Sequence, residues 1–145
     1  SVGFIRLYLV DASVNGLGAT VSVNLRTDSI SGPILGFTDS VSMPDGFGGA
    51  VNFFFPIPLQ ATPGSTYYFQ PVVQSGDTWR LNAHNGFFYA GGTAFYFGQP
   101  SQSTDLWFRE GIVIPEPSSA VLVLAGLGVL LYAPVAKPFR KWTRG

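Results

Sequence analysis

Enzymatic chemistry needs side chains that exchange protons, attack or coordinate a metal, and this chain offers few of them. His84 is its only histidine and it has no cysteine. A thiol nucleophile, a disulfide framework and a thiolate metal site are therefore excluded, and no second imidazole can join His84 around a transition metal. His84 sits in Leu81-Asn82-Ala83-His84-Asn85-Gly86, a turn-like stretch in which a single histidine reads as a solvated or capping residue. No Gly-X-Ser-X-Gly, phosphate-loop or His-Glu-X-X-His pattern occurs. Paired carboxylates can hydrolyse glycosides without any of these. Asp45, Asp77 and Asp105 each lie in or beside an apparent turn, however, where Asp is favoured for hydrogen bonding to nearby backbone. That context favours a structural role. A calcium ion held by loop carboxylates and carbonyls is compatible with the sequence because such a site needs no motif. No other cofactor is expected.

The aromatic residues carry the better alternative. Trp79, Tyr89, Tyr96 and Trp107, with Asn82, His84 and Asn85 nearby in sequence, could give stacking faces and hydrogen bonds to a sugar. Trp79, His84 and Trp107 are thus the candidate ligand-binding residues, with extracellular polysaccharide as the candidate ligand. The opposing reading places the rings in a core. In Leu106-Trp107-Phe108, strand alternation turns Trp107 away from both neighbours, which makes it the more exposed of the pair Trp79 and Trp107.

These residues sit in a chain of unusual balance. Of its 145 residues 46% are hydrophobic and 15% aromatic, but only 11% are charged, against about 25% in ordinary soluble domains. A membrane span, a weakly charged β-domain, or both would give such a composition. The net charge of zero hides an asymmetry. Residues 1–117 hold Arg6, Arg26, Arg80 and Arg109 against eight acidic residues, a net −4, whereas Lys137, Arg140, Lys141 and Arg144 crowd the last nine positions. A mildly acidic body without lysine is a poor match for nucleic acid, whose binding depends on clustered cations displacing counterions. No nucleic-acid partner is expected.

Up to about residue 113 the pattern is one of short strands separated by turn signals. In Ala19–Arg26, Val21, Val23 and Leu25 alternate with Thr20, Ser22, Asn24 and Arg26. In Val2–Val10, Ile5, Leu7 and Leu9 form one side and Phe4, Arg6, Tyr8 and Val10 the other, which points to a strand near the middle of a sheet. Further strands are expected at Ile34–Thr38, Ala50–Ile57, Thr66–Gln74, Thr78–Ala83, Thr93–Phe97 and Asp105–Val113. Pro56, Pro58 and Pro71 cannot donate ladder hydrogen bonds, so their strands belong at edges or bulges. Eight or so strands at this spacing predict an all-β, antiparallel β-sandwich of the jelly-roll type over residues 1–113, with no helix.

At Ile114-Pro115-Glu116-Pro117-Ser118-Ser119 the character changes. Two prolines end the last strand and favour an extended connector. The run from Ala120 to Ala136 is uncharged over 17 residues, and as a helix it would cover roughly 25 Å, enough to cross a bilayer at the short end of the usual range. Gly126 and Gly128, the interfacial Tyr132 and Trp142, and the cations that follow favour a single membrane span over about residues 119–136. Pro134 weakens its last turn.

The order Pro115-Glu116-Pro117, apolar span, basic tail resembles the PEP-CTERM sorting domain of exported bacterial proteins. The resemblance covers residues 114–145. It implies that Pro115, Glu116 and Pro117 are recognition residues for an exosortase, a membrane transpeptidase-like partner that processes the chain near this motif. In the basic tail, residues 137–145, the positive-inside bias is expected to set Lys137, Arg140, Lys141 and Arg144 in the cytoplasm. Pro134 and the loose Lys137-Pro138-Phe139-Arg140-Lys141-Trp142 depart from the compact arginine run usual in the family. No Leu-Pro-X-Thr-Gly motif is present, and no Gly-Gly pair stands just before the span. The body is similar to the β-sandwich modules that often precede such signals, in Pro63-Gly64-Ser65-Thr66-Tyr67-Tyr68-Phe69, Gly91-Gly92-Thr93-Ala94-Phe95-Tyr96 and Asp105-Leu106-Trp107-Phe108-Arg109.

The resulting expectation is an exported, non-catalytic cell-surface or extracellular-matrix protein. Its precursor is anchored in the inner membrane with the β-domain outside. The alternatives are a carbohydrate-binding module and, further off, a carboxylate-dependent glycosidase. The sequence opens on Ser1-Val2-Gly3-Phe4 with no initiator Met and no signal peptide, so an exported chain is expected to be matured or a piece of a longer one. Since Val2 already reads as mid-sheet, a preceding N-terminal strand is expected to be missing.

Overall fold

Alternation in two long strands organises the body. The computed structural model describes residues 1–85, 89–101 and 104–112. The sorting motif, membrane span and basic tail expected over residues 114–145 lie outside these. The described residues are all-β, with antiparallel sheets and no helix.

Strand β1 (Val2–Asp11) buries Ile5, Leu7 and Leu9, and β2 (Ala19–Thr27) buries Val21, Val23 and Leu25. Each is the centre of one sheet. Chain order between them and the C-terminal strands runs β3 (Ile34–Phe37), β4 (Val41–Met43), β5 (Gly48–Leu59), β6 (Tyr67–Gly76), β7 (Trp79–Leu81) and β8 (Ala83–Asn85). Then come β9 (Phe95–Tyr96), β10 (Gln99–Pro100), β11 (Thr104–Leu106) and β12 (Phe108–Gly111). In the first sheet β5 lies along one side of β1, while β12 and β7 share the other side. In the second, β6 lies along one side of β2, while β3 and β4 share the other. The buried residues of β1 and β5, the latter Val51, Phe53 and Phe55, join those of β2 and Met43 of β4 in one apolar core. Phe53, Ile5, Leu25, Val21 and Val23 are its largest fully enclosed side chains, each worth about 1.5–3 kcal/mol of burial.

The prolines stand where their missing N–H groups do least harm. Pro56 and Pro58 lie on the edge strand β5, inside an irregularity where Val2 pairs with Leu59 and Phe4 with Phe54. Pro71 lies on β6, the outer strand of the second sheet, opposite Val23. Gly16, Gly46, Gly64 and Gly76 have positive φ, in the turn sequences Asn15-Gly16, Asp45-Gly46, Pro63-Gly64 and Ser75-Gly76-Asp77. At Gly76 a side chain is barred twice over, by φ of 90° and by the carbonyl of Gly18, which a Cβ would strike.

Three expected strands differ in detail. The stretch Thr78–Ala83 is divided at Asn82 between β7 and β8, and Asp105–Val113 is divided at Trp107 between β11 and β12. Both breaks arise because β1 changes partners at Tyr8, taking β12 on residues 4–7 and β7 on residues 9–11. The third, Thr93–Phe97, is half of a β9-β10 hairpin whose turn residues Phe97 and Gly98 both have positive φ. That geometry ordinarily selects Asn-Gly, so Phe97-Gly98 does not announce itself as a hairpin turn.

Candidate functional site

The two candidate tryptophans of the body divide between the two faces of the first sheet. Trp79 pairs with Asp11 and points inward, its ring 5.8 Å from that of Phe47 and packed against the core. Its indole nitrogen is buried and has no hydrogen-bond partner among the described residues. Trp107 points outward, is 40% exposed, and meets Tyr8 edge-on at 6.4 Å. The two tryptophans therefore cannot share one stacking platform. Tyr89 packs edge-on against Phe108 at 5.2 Å, and Tyr96 stands exposed on the β9-β10 hairpin. The backbone of His84 is paired opposite Asp105, and that of Asn85 opposite Thr104.

What gathers around Trp107 is a strand junction. The N–H of Asn82 donates to the carbonyl of Tyr8 at 2.9 Å, and the carbonyl of Asn82 accepts the N–H of Trp107 at 3.2 Å. One exposed residue thus joins β1, the β7-β8 segment and the β11-β12 segment by backbone alone. Because the ladder is interrupted on both sides of Asn82, Trp107 is held on the outer surface at the point where β1 changes partners.

The register places arginines around this point. Arg6 of β1 is directly opposite Arg109 of β12, with Asn52 of β5 on its other side. Arg80 of β7 is opposite Val10. All three share the outward face with Tyr8 and Trp107, since Ile5, Leu7 and Leu9 fill the inward one. Sequence alternation put Phe4, Arg6, Tyr8 and Val10 on one side of β1. It could not place Arg109 or Arg80 beside them, because register between distant strands is not a local property.

The carboxylates serve the loops. At one end of the sheets Asp11 accepts the N–H of Gly46 at 2.7 Å and of Ser13 at 3.0 Å, and Asp45 accepts the N–H of Asn15. Asp77 accepts from Thr78 N–H, from the Ser13 hydroxyl and from the Asn15 amide. These bonds clasp the loops around residues 13, 46 and 77. Asp105 likewise accepts the N–H of Tyr89 and of Leu106. The Gly46 and Ser13 amides hold the Asp11 carboxyl below its usual range, and Thr78, Ser13 and Asn15 do the same for Asp77. Among the described residues no group of three His, Asp or Glu side chains is arranged to hold a metal ion.

One cleft of about 220 Å³ opens near Tyr67, Pro63 and Glu110. Its Tyr67 hydroxyl accepts the N–H of Thr62 at 2.8 Å, and this bond lowers the phenol's affinity for its proton. The space is smaller than the roughly 300–1,000 Å³ of ordinary small-molecule sites. The junction at Trp107 is the better candidate surface. In comparison with known proteins, the chain matches no family model, no curated protein and no solved structure.

Proposed function

We propose that this chain is an exported, non-catalytic protein of the cell surface or extracellular matrix, sorted and processed by an exosortase. The observation that carries the reading is the order of three parts at its C-terminal end. Pro115-Glu116-Pro117 comes first, then the uncharged run Ala120–Ala136, then Lys137, Arg140, Lys141 and Arg144. Four cations follow the span within nine residues, so the positive-inside bias sets them in the cytoplasm and the β-unit outside. The three-residue motif then stands at the outer interface, kept extended by its prolines and within reach of an enzyme working at that surface. The span forms one transmembrane helix, and the two antiparallel sheets of the body form a sandwich of the jelly-roll type. Asp11, Asp45, Asp77 and Asp105 support the non-catalytic part of the reading, since their oxygens are engaged with loop amides.

Replacing Pro115, Glu116 and Pro117 together by Ala tests the assignment. Insertion is unchanged, because the apolar run and basic tail are intact, and only processing fails. In a host carrying the exosortase, the variant accumulates as a full-length membrane protein while the unaltered chain loses its tail. Equal loss of the tail from both would mean that the segment is not a sorting signal.

A further inference from the structure

Three of the four arginines in residues 1–112 lie on one outward sheet face, and none of their side chains has a hydrogen-bond or ion-pair partner among the described residues. The fourth, Arg26, is engaged with Gln70 and with the carbonyl of Gly32. Arg6 and Arg109 stand directly across from each other, an arrangement that destabilises a sheet when the charges are alike. Arg6 Nε is shut off from solvent and has no acceptor among the described residues, although buried charged donors are costly to leave unpaired. The strand positions of this face on β1, β5, β7 and β12 hold no Asp or Glu. An anionic group between Arg6 and Arg109 would remove the repulsion and give those donors an acceptor.

The face also fixes the shape of such a ligand. Arg80 is paired with Val10, four residues along β1 from Arg6, which separates the two cationic rows by roughly 13 Å. Tyr8 and the half-exposed Trp107 occupy the interval. A ligand spanning it needs acidic groups at both ends and an apolar, ring-shaped face between them. Flanking Gly48 and Ala50, opposite Val10 and Tyr8, keep the surface low at the Arg80 end.

We propose that this face binds an acidic polysaccharide, with Arg6 and Arg109 on one carboxylate, Arg80 on another, and an intervening sugar ring against Trp107. Guanidinium forks suit carboxylates because they bind them bidentately. A nucleic acid fits less well. Its phosphates follow at about 1.7 Å of duplex axis per charge, and such a dense polyanion is repelled by the net negative body, whereas a uronate chain carries its charges a whole ring apart. The proposal goes beyond the sorting assignment and does not depend on it, since binding is read in vitro without an exosortase.

The test is affinity electrophoresis of the whole chain in nonionic detergent, through gels containing polygalacturonate, its neutral methyl ester, or duplex DNA. Polygalacturonate should retard the protein, and the retardation should fade between about 0.05 and 0.5 M salt. Arg80→Gln with Arg109→Gln, both exposed side chains whose loss should leave the circular dichroism unchanged, should weaken binding about tenfold or more. Trp107→Ala should weaken it several-fold. The Arg80→Lys, Arg109→Lys pair should fall between, since charge survives and the fork does not. Equal retention of the Gln variant and the unaltered chain would overturn the proposal. So would equal retardation by the methyl ester, or tighter binding to DNA.

Discussion

The two sheets solve one topological problem in opposite ways. Each has a long central strand whose one side is shared by two shorter partners, so each has a junction where the ladder is interrupted. On β2 the gap between β4 and β3 is sealed by Thr38, which is only 2% exposed. Its hydroxyl accepts the N–H of Val23 at 2.9 Å and its own N–H donates to the carbonyl of Val23 at 3.0 Å. On β1 the gap between β12 and β7 is bridged by the backbone of exposed Asn82, and Trp107 projects from it into solvent. A buried junction must satisfy every polar group internally. An exposed one need not, so its side chains are free to serve a ligand. The same interruption is therefore structural in one sheet and a candidate binding surface in the other.

Substitution at the two junctions should separate these roles. Thr38→Val keeps the shape but leaves the Val23 N–H buried without an acceptor, and should cost about 1–3 kcal/mol in urea unfolding followed by circular dichroism. Trp107→Ala should cost less, about 0.5–1.5 kcal/mol for the lost ring pair with Tyr8. A larger loss at Trp107 than at Thr38 would make the exposed junction a structural element as well, and the contrast would fail.

Acid should bear on the loop clasp at one end of the sheets, and more weakly. The clasp of Asp11 and Asp77 lies where β7 joins β1, next to the Asp11 and Trp79 pair. Both carboxyls are held below their ordinary value of 3.8 by donated hydrogen bonds. The folded chain thus binds protons less readily than the unfolded one, so the contribution is complete above about 3.8 and lost as the pH falls through the lower folded values. Melting temperature should be level from pH 7 to about 5 and then decline. Asp77→Asn should flatten the decline, and an unchanged profile in that variant would remove the clasp from the account.

Legibility in the sequence followed the range of the interaction that decides each feature. The faces of β1 and β2 were readable because alternation is local, and Pro56, Pro58 and Pro71 pointed to edges because a missing donor is a property of the residue itself. The outward turn of Trp107 followed from Leu106 and Phe108 on either side, and the inward turn of Trp79 could have been read from Trp79-Arg80-Leu81 in the same way. The short β4 passed unread because Val41-Ser42-Met43 owes its pairing to β2 and is too brief to show a period. The division at Asn82 and Trp107 and the meeting of Arg6, Arg109 and Arg80 were invisible for a related reason. Each depends on which distant strand lies against β1 and in what register.

The sorting proposal rests on the part of the chain beyond that β-unit, and it is tested most directly at the C-terminus of the mature protein. Mass spectrometry of the protein recovered from its native cell surface should find a C-terminus at or near Pro115-Glu116-Pro117, with no peptide from the apolar run or from Lys137 onward. Recovery of a mature surface protein that still ends in Lys141-Trp142-Thr143-Arg144-Gly145 would contradict it.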